Sequence, residues 1–162
     1  MLYVKSIAAD GYTNADSGKF AQSDAFKYSE SGAAEEKTVS LTFSSMGYSN
    51  QQAISTITDG DITITFAKGS NSNAPKYYTS GTAIRAYYDN TFTVNVASGK
   101  TISKITLKFG SSDGKNTITT DVGTFSSPSW TGSANSVKFT IGKAGTQTSG
   151  NRRLAGIEIT YK

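Results

Sequence analysis

We predict an all-β protein, a two-sheet antiparallel β-sandwich of jelly-roll-like type, from three features of the sequence. Apolar and polar residues alternate in several short segments, as they do in strands that bury one face. The hydrophobic residues, 36% of the chain, include many Val, Ile, Phe and Tyr, which favour strands. Gly, Ser, Asn and Asp fill the intervals between these segments, which is typical of turns between strands.

The alternating segments begin at Thr38 and continue to the end of the chain. Strands are predicted at 38–43, 54–57, 62–66, 83–88, 91–96, 103–109, 117–120, 136–141 and 154–161. The Asp59-Gly60 step predicts a hairpin into the third of these strands. Because each short strand has one apolar face, the strands need two sheets packed about 10 Å apart to bury those faces.

Residues 1–37 differ from the rest of the chain. They are rich in Ala, Ser, Asp and Gly, with isolated aromatic residues and weak periodicity. We therefore divide the chain into residues 1–37, an arm or linker that could contribute a strand, and residues 38–162, the sandwich module.

Composition removes the commonest catalytic chemistry. The chain has no histidine and no cysteine, so Ser-His-Asp triads, Cys-His pairs and thiolate metal sites are excluded. A pair of carboxylates could still cleave glycosides. However, the aspartates of residues 38–162 mostly lie beside Gly or Asn in predicted turns, and Glu158 alternates with Ile157 and Ile159. We expect a protein that is not an enzyme and that needs no cofactor.

Aromatic and planar side chains are the best candidates for ligand binding. A sugar ring has an apolar C–H face and a rim of hydroxyl groups, which flat aromatic rings and amide, carboxylate or guanidinium groups can hold. The candidate residues are Tyr77, Tyr78, Arg85, Tyr87, Tyr88, Asp89, Asn90 and Trp130. Adjacent tyrosines in a strand point to opposite faces, so one of each pair is expected to pack inward. Trp130 has an alternative interpretation as a partly buried loop anchor.

Hard oxygen donors near the predicted turns leave a structural calcium ion open. These donors are Asp59, Asp61, Asp113 and Asn116, but their spacing is not that of an EF-hand. Bonding between each side chain and its own turn is the competing explanation.

The net charge of +4 is unevenly distributed. Residues 1–37 have four Lys and six acids, a charge of −2, and residues 38–162 have twelve basic and six acidic residues, a charge of +6. Nucleic acid is not the expected partner, because its binding surfaces usually combine denser Lys and Arg clusters with exposed aromatic residues. No apolar run approaches the ~20 residues that would span a bilayer.

Several segments of residues 38–162 resemble a known family. These are LTFSSMGY (41–48), FAKGSN (66–71), APKYY (74–78), GTAIR (81–85), ITLKFGS (105–111), GTF (123–125), SWTG (129–132) and NRRL (151–154). Together they resemble a poorly characterised β-sandwich module of secreted and surface proteins of gut anaerobic bacteria, often found beside nuclease, glycosidase or adhesion-like domains. The resemblance implies an extracellular or cell-surface accessory role, and likeness to carbohydrate-binding jelly rolls is an analogy of fold.

Two functions from different classes follow from these observations. The first is a non-catalytic extracellular module that binds a polysaccharide or other glycan. The second is a structural or assembly subunit of a surface fibre, pilus-like structure or virion surface. In this second function residues 1–37 would be exchanged between copies, because an extended arm can complete a neighbour's sheet.

Overall fold

A computed structural model of the protein describes residues 34–162. This part of the chain contains twelve strands and a single 3-10 turn. In chain order they are β1 (Lys37–Thr42), the 3-10 turn Phe43–Ser45, β2 (Thr56–Asp59), β3 (Ile62–Ala67), β4 (Lys76–Tyr78), β5 (Ala83–Tyr87), β6 (Thr91–Val96), β7 (Ile102–Phe109), β8 (Ile118–Thr120), β9 (Thr124–Ser126), β10 (Ser129–Ala134), β11 (Ser136–Ile141) and β12 (Asn151–Tyr161).

The strands form two antiparallel sheets. The seven-stranded sheet has the order β4-β5-β12-β7-β10-β9, and β1 also pairs with β12. The five-stranded sheet has the order β2-β3-β6-β11-β8. These sheets confirm the predicted all-β antiparallel sandwich, whereas the strand order does not confirm its jelly-roll-like connection.

Alternating residues of both sheets build one hydrophobic core. In the five-stranded sheet Phe66, Phe92 and Phe139 lie opposite one another in register on β3, β6 and β11. The rings of Phe92 and Phe139 stack with centroids 4.7 Å apart, and all three side chains are buried. Each such side chain contributes about 1.5–3 kcal/mol when it is fully buried, so this row stabilises the centre of the sheet.

The last strand, β12, organises the seven-stranded sheet. Its residues 151–154 pair with β5 and its residues 156–161 pair with β1, while its other edge pairs with β7. At Gly156 an added Cβ would lie 2.4 Å from the carbonyl oxygen of Leu41, so glycine lets β1 approach closely.

Most of the predicted strands are confirmed, including the hairpin at Asp59-Gly60, where β2 and β3 pair. The prediction missed β4, β9 and β10, and it placed Trp130 in a loop, whereas Trp130 lies in β10. The strands β4 and β9 have only three residues each, too few to show a period in the sequence.

The prediction for residues 1–37 falls mostly outside the described residues. Of these, only 34–37 are described, and Lys37 already begins β1. Residues Ala34–Lys162 form one compact unit. Within this unit, no helix is long and apolar enough to cross a membrane.

Candidate functional site

Three of the predicted ligand-binding residues lie together on the outer face of the seven-stranded sheet. On β4, Tyr77 is buried while Tyr78 is partly exposed, and on β5 the partly exposed Arg85 and Tyr87 flank the buried Ala86. This alternation directs Tyr78, Arg85 and Tyr87 away from the core. We refer to these three residues as the tyrosine–arginine cluster.

The cluster is held together by direct contacts. The Arg85 guanidinium carbon lies 3.9 Å from the centroid of the Tyr78 ring, a cation–π arrangement. The hydroxyl groups of Tyr78 and Tyr87 are 3.0 Å apart and hydrogen-bonded. The cluster therefore combines partly exposed aromatic rings, hydroxyl groups that donate and accept, and a guanidinium group that only donates.

The surroundings of Tyr87 keep its hydroxyl group protonated. Burial raises the pKa of Tyr87 to about 12, and its hydrogen bond with Tyr78 adds to the rise, while the nearby charge of Arg85 opposes it. At neutral pH Tyr87 is therefore a neutral side chain that can offer its O–H to an acceptor.

Two of the predicted aromatic residues are buried, which corrects their assignment to an exposed binding surface. Tyr77 is 4% exposed and packs against Tyr48, with ring centroids 5.6 Å apart. Trp130 is 0% exposed, and its indole N–H donates to the carbonyl oxygen of Val122 at 2.6 Å. Trp130 points inward because it lies opposite the buried Ile105 in the sheet.

Asn90 is also buried and serves the fold. Its side-chain amide donates to the carbonyl oxygens of Lys68 and Asn73, at 2.9 and 3.0 Å, and its oxygen accepts from the backbone N–H of Tyr87. All of its side-chain groups thus have partners within the protein, and Asn90 is not available to a ligand.

Asp89 and Tyr88 lie in the turn after β5 and outside the cluster. The Asp89 carboxylate accepts hydrogen bonds from the backbone N–H of Ser70 and from its hydroxyl group. These bonds lower the pKa of Asp89 below its ordinary value. The carbonyl oxygen of Tyr88 accepts a hydrogen bond from the Asn71 side chain at 2.7 Å. Asp89 and Tyr88 thus both link this turn to the loop that follows β3.

The calcium candidates mostly have partners inside the protein. Asp113 accepts from Arg152 and from the backbone N–H of Arg153, and Asp61 contacts Lys100 and Tyr161. The Asn116 amide donates to two carbonyl oxygens, those of Gly142 and Ser149. In the described part of the chain no three acidic side chains are grouped as a metal site requires. Hydrogen bonds and ion pairs within the fold thus account for Asp61 and Asp113. The side-chain oxygen of Asn116, the atom that would ligate calcium, is buried and has no hydrogen-bond donor among the described residues.

Two basic residues that the sequence analysis did not select extend the cluster. Lys76 on β4 and Arg153 on β12 each lie directly opposite Arg85 in register. Paired residues of neighbouring strands share a face, so Lys76, Arg85 and Arg153 form what we call the basic row. The burial pattern of each strand in the structure directs these side chains outward. Their alignment depends on strand register, which cannot be read from the sequence.

Comparison of the chain with protein-family models, with curated proteins and with solved structures finds no match in any of the three. The family resemblance noted in the sequence therefore stays a prediction.

Proposed function

We propose that this protein is a non-catalytic extracellular module that binds a glycan on the outer face of its seven-stranded sheet. The observation that carries the proposal is the tyrosine–arginine cluster, in which Arg85 stacks 3.9 Å above Tyr78 and the two tyrosine hydroxyls are 3.0 Å apart.

The chemistry of the cluster matches that of a sugar. The partly exposed rings of Tyr78 and Tyr87 supply apolar surface for the C–H face of a pyranose. Their hydroxyl groups and the N–H groups of Arg85 lie beside that surface and can bond sugar hydroxyls. Since Arg85 and Tyr87 lie on β5, which pairs with β4 on one side and β12 on the other, the cluster is preorganised, which lowers the entropy lost on binding.

The placement of the acidic residues favours a binding role over hydrolysis. Asp61 and Asp113 form ion pairs with Lys100 and Arg152, and Glu158 lies on the surface beside Lys108. Glycoside hydrolysis requires two carboxyl groups facing each other across the scissile bond, and these three carboxylates are instead paired with separate bases. The extracellular location is part of the proposal and rests on the family resemblance.

The alternative function, an assembly subunit that exchanges residues 1–37, depends on a segment that lies almost wholly outside the described residues. It stays a prediction, and a truncation described in the Discussion tests it.

A glycan-array screen followed by calorimetry on the best glycan tests the proposal. We expect Tyr78→Ala and Tyr87→Ala each to weaken binding about tenfold, as loss of an aromatic anchor does in other interfaces. Tyr88→Ala is a matched control, since it removes the same side chain one position away and outside the cluster, and it should bind like the unmodified protein. Full binding by the Tyr78→Ala and Tyr87→Ala variants would show that the cluster is not the site, and failure of every glycan to bind would refute the glycan function.

A further inference from the structure

We infer that the basic row selects an acidic glycan, one that carries carboxylate or sulfate groups, and this inference rests on the proposed glycan-binding function. The row consists of Lys76, Arg85 and Arg153, which lie on β4, β5 and β12 and face the same side of the sheet.

The alignment of three positive charges is unfavourable without an anion. Directly opposite residues of paired strands have Cβ atoms about 4.5–5.5 Å apart, and like charges at such positions destabilise a sheet. Three strands carry the row, so its Cα atoms span roughly 10 Å. A negatively charged group bound over the row would relieve this repulsion.

Acidic side chains of the described residues do not neutralise the row. Residues 34–162 contain three ion pairs, Lys100–Asp61, Lys108–Glu158 and Arg152–Asp113, and none of them includes a member of the row. The contrast with Arg152 is informative, because that neighbour of Arg153 points the other way and lies 2.7 Å from a carboxylate. The outward-facing arginines have no comparable anion within this part of the chain.

Arg153 supplies a second, independent observation. Its Nη1 donates to the carbonyl oxygen of Ser111 at 3.2 Å, which anchors the guanidinium group. Its Nε has no hydrogen-bond acceptor among the described residues, but Nε is buried and a ligand on the surface cannot reach it. Among the described residues only Nη1 of Arg153 has an acceptor, so the guanidinium group is anchored at one nitrogen and its Nη2 is left to receive an anion.

The size of the row favours a glycan over duplex nucleic acid. Proteins that bind duplex DNA through its backbone commonly make 6–10 phosphate contacts, whereas this row provides three cations beside two tyrosines. A compact group of this kind fits one or two acidic groups on a sugar chain, with the neighbouring tyrosines against the rings.

The experiment compares the affinity of the protein for an acidic glycan with its affinity for the same glycan without the charge. An array that carries uronate, sialyl and sulfated glycans beside their neutral counterparts identifies the best acidic glycan. Calorimetry then compares that glycan with the same chain after methyl esterification or desulfation, which removes the charge and keeps the backbone. We expect at least a tenfold loss of affinity on neutralisation, and whether carboxylates or sulfates are preferred follows from which acidic glycans bind.

Variants locate the effect on the row. Lys76→Gln and Arg153→Gln should each weaken binding of the acidic glycan about tenfold and have little effect on the neutralised glycan, because both residues belong to the row and lie outside the tyrosine–arginine cluster. Arg85→Gln should weaken binding of both glycans, because Arg85 also packs against Tyr78. Lys138→Gln is a charge-matched control, because Lys138 lies on the five-stranded sheet, opposite Thr93. Raising the ionic strength from about 0.01 M to about 1 M should weaken binding of the acidic glycan but not binding of the neutralised glycan.

The possible failures are distinguishable. Equal affinity for charged and neutralised glycans would overturn the acidic specificity and leave the glycan function standing. Absence of binding to any glycan would refute the glycan function and the acidic specificity with it. Tighter binding to single-stranded DNA than to every glycan, lost in Arg85→Gln and Arg153→Gln, would overturn the inference in favour of nucleic acid.

Discussion

Arg152 and Asp113 form an ion pair at one end of the sandwich, with the guanidinium nitrogen 2.7 Å from the carboxylate oxygen. The Arg152 side chain is 11% exposed and that of Asp113 is 17% exposed, so water screens the pair weakly. Arg152 also lies over the ring of Phe109, at 4.0 Å from its centroid. The pair thus links the end of β7 and the following loop to the beginning of β12.

Removing one member of this pair should destabilise the fold. We expect Asp113→Ala to lower the free energy of unfolding by about 3 kcal/mol, because the Arg152 charge would remain largely buried without its partner. Urea unfolding measures the change. The comparison variant is Glu158→Ala. Glu158 lies 3.6 Å from Lys108, and both side chains are more than 40% exposed, so this variant should lower the free energy of unfolding by less than about 1 kcal/mol. Equal losses for the two variants would contradict a structural role for the Arg152 pair.

Asp61 should make stability depend on pH in the acid range. Hydrogen bonds from Lys100 and Tyr161 hold the pKa of Asp61 below its ordinary value of 3.8. Because the pKa is lower in the folded state, the stabilisation by Asp61 is complete above the unfolded pKa and is lost as the pH falls through the folded pKa. We expect Asp61→Asn to flatten the loss of stability below about pH 4, measured by urea unfolding at a series of pH values.

Asp59→Asn is the control for this pH dependence, because Asp59 is an exposed aspartate in the same hairpin. It should keep the acid-range slope of the unmodified protein. An unchanged slope in Asp61→Asn would mean that the contacts to Lys100 and Tyr161 do not contribute to stability.

Trp130 is the single tryptophan of the chain, and its fluorescence should indicate an apolar environment shielded from water. We expect blue-shifted fluorescence that iodide quenches poorly and that glycan binding does not alter, since the indole is fully buried. Emission typical of an exposed indole, or strong quenching by iodide, would contradict the burial of Trp130 and make it a candidate binding residue again.

The packing around Trp130 gives a mutational test of its own. A Cβ added at Gly132 would lie 2.6 Å from the Trp130 ring, so Gly132→Ala should destabilise the protein by about 1–3 kcal/mol through overpacking. The neighbouring Ser133→Ala, at an exposed position of the same strand, should have little effect on the thermal midpoint.

Deletion of residues 1–33 separates the two proposed functions. This boundary keeps β1, which begins at Lys37 and pairs with β12 along its whole length. Under the binding function the shortened protein should keep its glycan affinity, its thermal midpoint and its oligomeric state, measured by calorimetry, thermal unfolding and light scattering. Oligomers present in the full chain and absent after the deletion would favour the assembly function.

The two-sheet architecture could be predicted because its signal is local. In β3, β6 and β11 every second residue is apolar, and the structure buries those residues. The same alternation indicated that one tyrosine of the pair Tyr77 and Tyr78 would point inward, and Tyr77 does. Short strands such as β4 escaped prediction because pairing with a neighbour, and not periodicity, holds them in place.

The candidate site was only partly predictable. Tyr78, Arg85 and Tyr87 were selected for their chemistry, but the same criteria also selected Trp130 and Asn90, which are buried. The chemistry of a side chain is known from its residue type, whereas its burial depends on which other parts of the chain pack against it.

The order of apolar and polar residues along the chain was enough to establish that it forms strands with one buried face, and its composition excluded histidine and cysteine chemistry. The alignment of Lys76, Arg85 and Arg153 across three strands required the folded molecule, as did the burial of Trp130. The physical reason is range: alternation acts between adjacent residues, whereas strand register joins residues as distant as Arg85 and Arg153 through backbone hydrogen bonds.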